Sequence, residues 1–305
     1  MNSLKILWQF SRPHTIIGST LSILSIFAIA IGTTDFVYID PLLLPLSLLT
    51  ALTCNIYITG LNQWSDIEVD KINKPWLPIA AGTLSKDNAL RIVLVCGIIS
   101  LATAAYLSSP FFGLILTIIA IGTAYSLPPL KLKRSHILAA TAISVVRGLL
   151  VNIGFYLHFR HEILPKGQVT GEWSLTPAIL PLTVFVTAFS LGIAWFKDIP
   201  DTEGDAVYSF GTLAVTSGRQ RAFMAGVFVV SFAYVFIIMA GLVGLLPATI
   251  YYVVSHSIAL FLFLWQAKAL QVVDNQQVKR FYLFFWGLFF LEYVLYPLGF
   301  YLPIS

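Results

Sequence analysis

Apolar runs of roughly twenty residues, the length a helix needs to cross a bilayer, recur along this chain between short polar segments. They predict nine spanning helices, over residues 15–33, 41–61, 89–107, 111–127, 137–159, 177–196, 222–245, 248–267 and 281–302. The connections Ser108-Ser109-Pro110 and Leu246-Pro247 are helix-end punctuation, too short to hold a domain. The alternating pattern of a membrane barrel is absent. The expected fold class is all-α: a polytopic helical bundle forming one domain over residues 1–305.

Composition agrees. Of 305 residues, 58% are hydrophobic and 10% charged, against about 25% charged in soluble domains. Cys54 and Cys96 lie in apolar runs and read as small core residues, not as a disulfide or metal site. The net charge of +4 could point to nucleic acid, but the bases fall between the apolar runs. Fifteen of them (Lys5, Arg12, Lys71, Lys74, Lys86, Arg91, Lys131, Lys133, Arg134, Lys197, Arg219, Arg221, Lys268, Lys279 and Arg280) fall on one side of the nine spans. Arg160 and Lys166 fall on the other, and Arg147 lies inside the fifth span. This positive-inside bias predicts a cytoplasmic or stromal N-terminus and the opposite side for the C-terminus. It excludes a basic face for nucleic acid. No Arg- and Ser-rich transit segment precedes the first run, and that run lacks a cleavage site, so it reads as a retained helix.

Acid is concentrated where the pattern breaks. Asp66, Glu68 and Asp70 follow the second span; Asp198, Asp201, Glu203 and Asp205 follow the sixth. Together they are seven of the fourteen acids. The predicted topology places both groups on the cytoplasmic side. Asp66 and Asp70 are four apart, as are Asp201 and Asp205, a spacing that stacks like charges on one helix face and destabilises it. A divalent cation removes the penalty, and carboxylates in this pattern suit Mg²⁺ bridging to a diphosphate. The competing reading is seven solvated loop charges. Each acidic stretch precedes a polar segment of about 20 residues with Gly or Pro, 71–88 and 202–221, a weak internal repeat.

Several other residues could meet an anion. Lys131 closes the stretch Tyr125-Ser126-Leu127-Pro128-Pro129-Leu130-Lys131, and Lys197 abuts the second acidic group; both are expected to face substrate. Lys133 and Arg134 are better read as topology signals. Arg147 inside a span calls for a partner; it faces an internal cavity or locks the bundle as a salt bridge. Glu292 poses the same question without an assigned role, and Asn152 is cheaper to bury. Asn62 and Gln63 can ligate metal or bond a polar substrate group. His14, His136, His158, His161 and His256 show no metal-ligand spacing and read as interfacial or structural. The loop 160–175 carries no evident chemistry.

Asn62-Gln63-x-x-Asp66-x-x-x-Asp70, running on into Lys71-Ile72-Asn73-Lys74-Pro75-Trp76-Leu77-Pro78-Ile79-Ala80-Ala81-Gly82, resembles the first aspartate-rich motif of the UbiA superfamily of intramembrane prenyltransferases. Lys197-Asp198-x-Pro200-Asp201-x-x-Gly204-Asp205 resembles the second, and the stretch from Tyr125 to Lys131 resembles the family's Tyr/Lys motif. Ser11-Arg12-Pro13-His14-Thr15, the Asn-Gln opening where relatives often have Asn-Asp, the run from Asn73 to Ala80, and the end from Phe289 to Leu298 are most similar to the homogentisate prenyltransferases of photosynthetic organisms.

This resemblance implies the following. Asp66, Asp70, Asp201 and Asp205, with Asn62 and Asp198 assisting, hold Mg²⁺ on a prenyl diphosphate. Lys131, Lys197 and Arg147 neutralise the leaving diphosphate, and Arg12, Gln63 and Tyr125 contribute to substrate binding. The acceptor is homogentisate, prenylated with loss of CO₂, and a phytyl donor would give the methyl-phytyl-quinol precursor of tocopherols. The setting is a cyanobacterium-like thylakoid or plasma membrane, with membrane lipid as a further partner and no nucleic acid. Two other readings remain at this point. One is a different donor or acceptor, such as solanesyl in quinone biosynthesis. The other is a cation-coupled transporter, which usually places its acids at mid-membrane on broken helices.

Overall fold

The computed structural model describes residues 3–34, 38–163 and 175–303; Lys166 and most of the loop 160–175 lie outside them. Among the described residues there is no strand beyond an isolated parallel bridge between Ser135 and Gly211. Nine helices are long and apolar enough to span a membrane. They are α2 (Pro13–Gly32), α3 (Leu43–Ser65), α5 (Lys86–Leu107), α6 (Ser109–Ser126), the composite α7 (His136–Ser144) with α8 (Val151–Ile163), α9 (Ile179–Asp198), α12 (Arg219–Leu242), α13 (Thr249–Ala269) and α14 (Asn275–Leu298). Each falls within a few residues of an expected span. The chain is an integral membrane protein.

The short elements were not anticipated. They are α1 (Ser3–Phe10), α4 (Ile67–Asn73), α10 (Thr202–Val207), α11 (Leu213–Ser217), a 3₁₀ turn over Leu132–Arg134 and a π turn over Val145–Leu150 that joins α7 to α8. Four of them lie at or beside the two acidic stretches.

Six spans ring an internal cavity: α2, α3, α6, α7–α8, α9 and α14. The other three, α5, α12 and α13, back the ring from outside. Side chains such as Ile98, Phe228 and Phe261 on these outer helices are exposed, the lipid-facing surface a membrane helix needs. α9 is the exception to one-sided burial: it is apolar around its circumference and mostly enclosed. Its Phe189 stacks on Phe285 of α14 at a centroid separation of 4.3 Å, and its Phe196 meets the same ring edge-on at 5.0 Å. This aromatic column fixes the height of Lys197 and Asp198 at the end of the helix.

α12 approaches α9 closely at Gly226. A Cβ there would lie 2.4 Å from Phe196 Cε1, and Phe196 cannot yield because Phe223, Phe281 and Phe285 surround it. Gly226→Leu would gain about 1 kcal/mol of helix propensity but overpack a contact where such insertions cost about 1–3 kcal/mol or more. A net loss is expected, read as a lower thermal midpoint in detergent; an unchanged or raised midpoint would contradict the close contact.

Candidate active site

Each acidic stretch begins where a spanning helix breaks. α3 ends at Ser65, and Asp66, with φ −114°, caps both α3 and α4. α9 ends at Asp198, and Asp201 caps α10. The expectation of one continuous helical face is thus modified. The two halves are nonetheless built alike: the Asp70 N–H donates to Asp66 O at 2.8 Å and the Asp205 N–H to Asp201 O at 3.0 Å. The break turns the aspartates inward. Asp66, Asp70, Asp198, Asp201 and Asp205 are each at most 9% exposed, whereas Glu68 and Glu203 face out and Glu68 pairs with Lys71 at 2.8 Å. Five of the seven acids therefore belong to one site and two are solvated.

The five aspartates line one polar cavity of about 60 Å³. The segment after the first motif reaches across to the second: Asn73 Nδ2 donates to Asp205 Oδ1 at 3.2 Å and Lys74 pairs with Asp201. Gly204 makes room for this, since a Cβ there would lie 2.1 Å from Asn73 Oδ1. Lys133 Nζ lies 2.7 Å from Asp66 Oδ1 and donates to Ser65 Oγ at 2.7 Å, while Lys197 Nζ is 3.3 Å from Asp198 Oδ1. Asn62 Nδ2 donates to Asp66 Oδ2 at 3.2 Å.

Burial governs the protonation of this group. It pushes Asp70 up to about 6, although Lys74 and Arg12 pull the other way by more than the repulsion of Asp66 and Asp201 adds. It pushes Asp205 up to about 7, with Asp198 and Asp201 adding to the effect. Burial also lowers the Lys133 ammonium to about 8, although Asp66 pulls the other way. These shifts follow first from removing charge from water; like-charged neighbours reinforce that only at Asp205.

The donor set fits a hard divalent cation. Asp70 Oδ2 is buried with no hydrogen-bond partner. Five carboxylates face Arg12, Lys74, Lys133 and Lys197 around the same cavity, a formal excess of one negative charge (five minus four). Among the described residues no three His, Cys, Asp or Glu side chains converge into a closed cage. A cation held here would take further ligands from water and a bound phosphate, as Mg²⁺ commonly does.

A second, larger cavity of about 250 Å³ runs into the bundle, lined by apolar side chains such as Ile58, Ile118 and Ile193. Arg12, Asn62, Tyr125 and Lys197 line both cavities and so form the junction between them. The Tyr125 hydroxyl faces the Lys197 ammonium across it. Arg147 lines only the apolar cavity, away from the aspartates. It has no carboxylate partner among the described residues. Glu292 pairs instead with His256, Nε2 to Oε2 at 3.2 Å.

Two further expected site residues lie apart from both cavities. Gln63 lines neither cavity; its Nε2 donates to Phe10 O at 2.7 Å and anchors the end of α1. Lys131, which adopts φ 39° ahead of the 3₁₀ turn, also lines neither cavity, and its Nζ rests 5.6 Å from the Phe210 ring. Lys133, read from the sequence as a topology signal, is the one that enters. The turn is held by a contact between distant segments: Gly211 N donates to Arg134 O at 2.9 Å and His136 N to Gly211 O at 3.1 Å. Lys74 and Asn73 were likewise absorbed into the positive-inside pattern and the motif run. Their position within one helical turn of Asp70 was the available signal.

Known proteins share this architecture. The model of the UbiA prenyltransferase family matches residues 21–289. A protein of Synechocystis sp. named homogentisate phytyltransferase is 40% identical over 99% of this chain and 98% of its own length. Homogentisate phytyltransferase 1, chloroplastic, of Arabidopsis thaliana is 38% identical over 97% of this chain and 75% of its own. Among solved structures, a UbiA homolog from Archaeoglobus fulgidus bound to GPP and Mg²⁺ aligns with a TM-score of 0.67 at 16% identity, covering 97% of this chain and 99% of that one; at that identity the likeness is one of fold. Two carboxylate-lined helix breaks over one cavity, in a bundle matched nearly end to end, belong together in a single lineage: the chain is a member of the UbiA prenyltransferase family.

Proposed function

We propose that the protein is a homogentisate phytyltransferase, dependent on Mg²⁺, with its polar mouth on the cytoplasmic or stromal side of the membrane. One observation carries this reading: a polar, acid-lined cavity opens through four polar residues into an apolar one. A prenyl diphosphate has the same two-part chemistry. The names of the similar proteins support the acceptor and donor, and the basic bias of one side supports the orientation.

Asp66, Asp70, Asp201 and Asp205 would hold Mg²⁺, with Asn62 and Asp198 assisting. Bound there, the metal supplies Lewis-acid stabilisation of the diphosphate oxygens. Arg12, Lys133 and Lys197 bind the diphosphate and stabilise the charge it gains as the allylic C–O bond breaks, its electron pair leaving with oxygen. Tyr125 and Asn62 orient the bond at the junction. The apolar walls keep water from the allylic cation. The acceptor ring supplies the electron pair of the new C–C bond and loses a proton as it becomes aromatic again. The side chain gives up CO₂ and takes a proton, becoming methyl.

Purified protein with Mg²⁺, homogentisate and phytyl, geranylgeranyl or solanesyl diphosphate should release diphosphate and CO₂ and form the phytyl quinol fastest. Preference for a longer chain would reassign the donor. Metal-dependent ion movement without diphosphate release would favour the transporter reading. Asp66→Asn and Asp201→Asn should each abolish turnover; undiminished activity in both would sink the assigned roles.

The two lysines provide a sharper contrast. Lys133→Ala should lower kcat/KM about 100-fold, the scale for removing one preorganised donor, while Lys131→Ala should stay near wild type. The reverse ranking would return the role to Lys131.

The pH dependence follows from Asp70 at about 6 and Asp205 at about 7. Both values lie above the unfolded one, so the folded state holds these protons more tightly. Through these groups the metal-free protein gains stability as pH falls through this window. Mg²⁺ binds the deprotonated carboxylates, so it should raise the thermal midpoint more at pH 8 than at pH 5.5. An equal shift at both pH values would contradict the assignment.

A further inference from the structure

Arg147 is the one charged side chain in the apolar cavity that does not also line the polar one. Its guanidinium lies over Trp286 and Phe289, 5.1 and 5.7 Å from their ring centroids. Nη1 is buried with no hydrogen-bond partner. The titratable groups that face it are Tyr282 and Tyr293 from α14 and His14 from α2, none of them a carboxylate. A cation left unpaired in an apolar cavity is costly, and the prenyl chain has no charge to meet it.

The local backbone is shaped to deliver this group. The π turn over Val145–Leu150 inserts an extra residue into the span. It is held from below by Asn152, whose Nδ2 donates to Arg147 O at 3.0 Å and Gly148 O at 2.7 Å. Gly148 lets the turn press on α9, where a Cβ would lie 2.6 Å from Thr187 Cα. Without the insertion, residues on one side of the turn would rotate by roughly 100° relative to those on the other. With Trp286 and Phe289 covering its face, the guanidinium keeps only its edge free, the edge that grips a carboxylate in bidentate fashion.

We infer that Arg147, carried into the apolar cavity by the π turn, is the receptor for the carboxylate of the aromatic acceptor. This rests on the proposed function, in which the acceptor is an aryl acid, and adds where and by what the acid is read. The ion pair fixes the ring in the apolar cavity, with the donor's reactive carbon at the junction formed by Arg12, Asn62, Tyr125 and Lys197. Loss of CO₂ then removes the anion, so the neutral product has no ion pair holding it and can leave into lipid.

The test uses purified full-length wild type, Arg147→Gln and Arg147→Lys in phospholipid nanodiscs with Mg²⁺ and phytyl diphosphate. The acceptors are homogentisate and 2,5-dihydroxytoluene, which keeps both hydroxyls and lacks the carboxylate. Arg147→Gln should raise the KM for homogentisate about 10- to 100-fold, the range for a hydrogen bond to a charged group. The KM for the diphosphate and the rate with dihydroxytoluene should not move, and Arg147→Lys should recover part of the loss. An unmoved homogentisate KM, or a rise confined to the diphosphate, overturns the assignment while the proposed reaction stands. Should the variants not fold, the wild type decides: dihydroxytoluene must compete much more weakly than homogentisate, and equal competition overturns the inference. A wild type that prenylates no homogentisate overturns both this inference and the function beneath it.

Discussion

Five aspartates buried at the end of an apolar bundle impose the constraint from which the other features of the site follow. Taking an ionised carboxylate out of water costs several kcal/mol unless charge or hydrogen bonds compensate it, and five together repel one another. Much of the compensation comes from the protein itself. Lys74 crosses to Asp201, Lys133 to Asp66, Lys197 to Asp198, and Asn73 bonds Asp205. Apart from the Lys197–Asp198 pair, which lies within the second motif, these contacts tie one motif to another segment, so the groups that keep the aspartates buried also fix the two helix breaks relative to each other. What they leave is an excess of acid and the unpartnered Asp70 Oδ2. Adding a diphosphate to such a site is repulsive unless a divalent cation enters with it. This charge balance is consistent with the proposed binding of a diphosphate together with a divalent cation.

The same constraint explains the position of the site. A fully buried cluster of this kind would be too expensive at mid-membrane, and a fully exposed one would offer no dry cavity for a cation to form in. Placing it at a helix break, with charge on one side and isoleucines on the other, satisfies both demands. The four junction residues each carry a polar tip on an apolar stem or ring, apart from Asn62, and can stand at such a boundary.

Much of this was legible in the sequence. The spans show because twenty apolar residues in a row have few other uses, and the acidic groups show because acid is scarce elsewhere. All four junction residues, and all five buried aspartates, were marked by sequence position and motif. The placement of Lys131 and Lys133 was not legible, because the deciding event is a left-handed residue at Lys131 and a backbone contact between residues 134–136 and 211. Residues two apart exchange faces when such a turn is introduced, and composition carries no trace of it. The pairing of Glu292 with His256 was hidden for a related reason: two candidates for burial in neighbouring spans could each have partnered Arg147 or one another, and only packing decides.

Gln63 lies apart from both cavities and acts on the backbone instead. Its side chain is nearly inaccessible and bonds the carbonyl of Phe10, two residues before Arg12. Arg12 adopts φ 56°, a conformation that costs a non-glycine residue of order 1–3 kcal/mol and persists only where its surroundings enforce it. The enforcement is local and dense: Gln63 holds Phe10, Ser11 Oγ donates to Trp8 O at 2.9 Å, and Thr15 Oγ1 donates to Arg12 O at 2.9 Å. Arg12 thereby enters the junction from outside the ring of helices, while Arg147 enters the apolar cavity on a π turn. Both arginines reach the interior on irregular backbone. A guanidinium on a regular, lipid-facing helix surface would extend toward the membrane interface and water. The irregular turns aim it inward, so the strained backbone lies where positive charge has to be delivered against the pull of solvent.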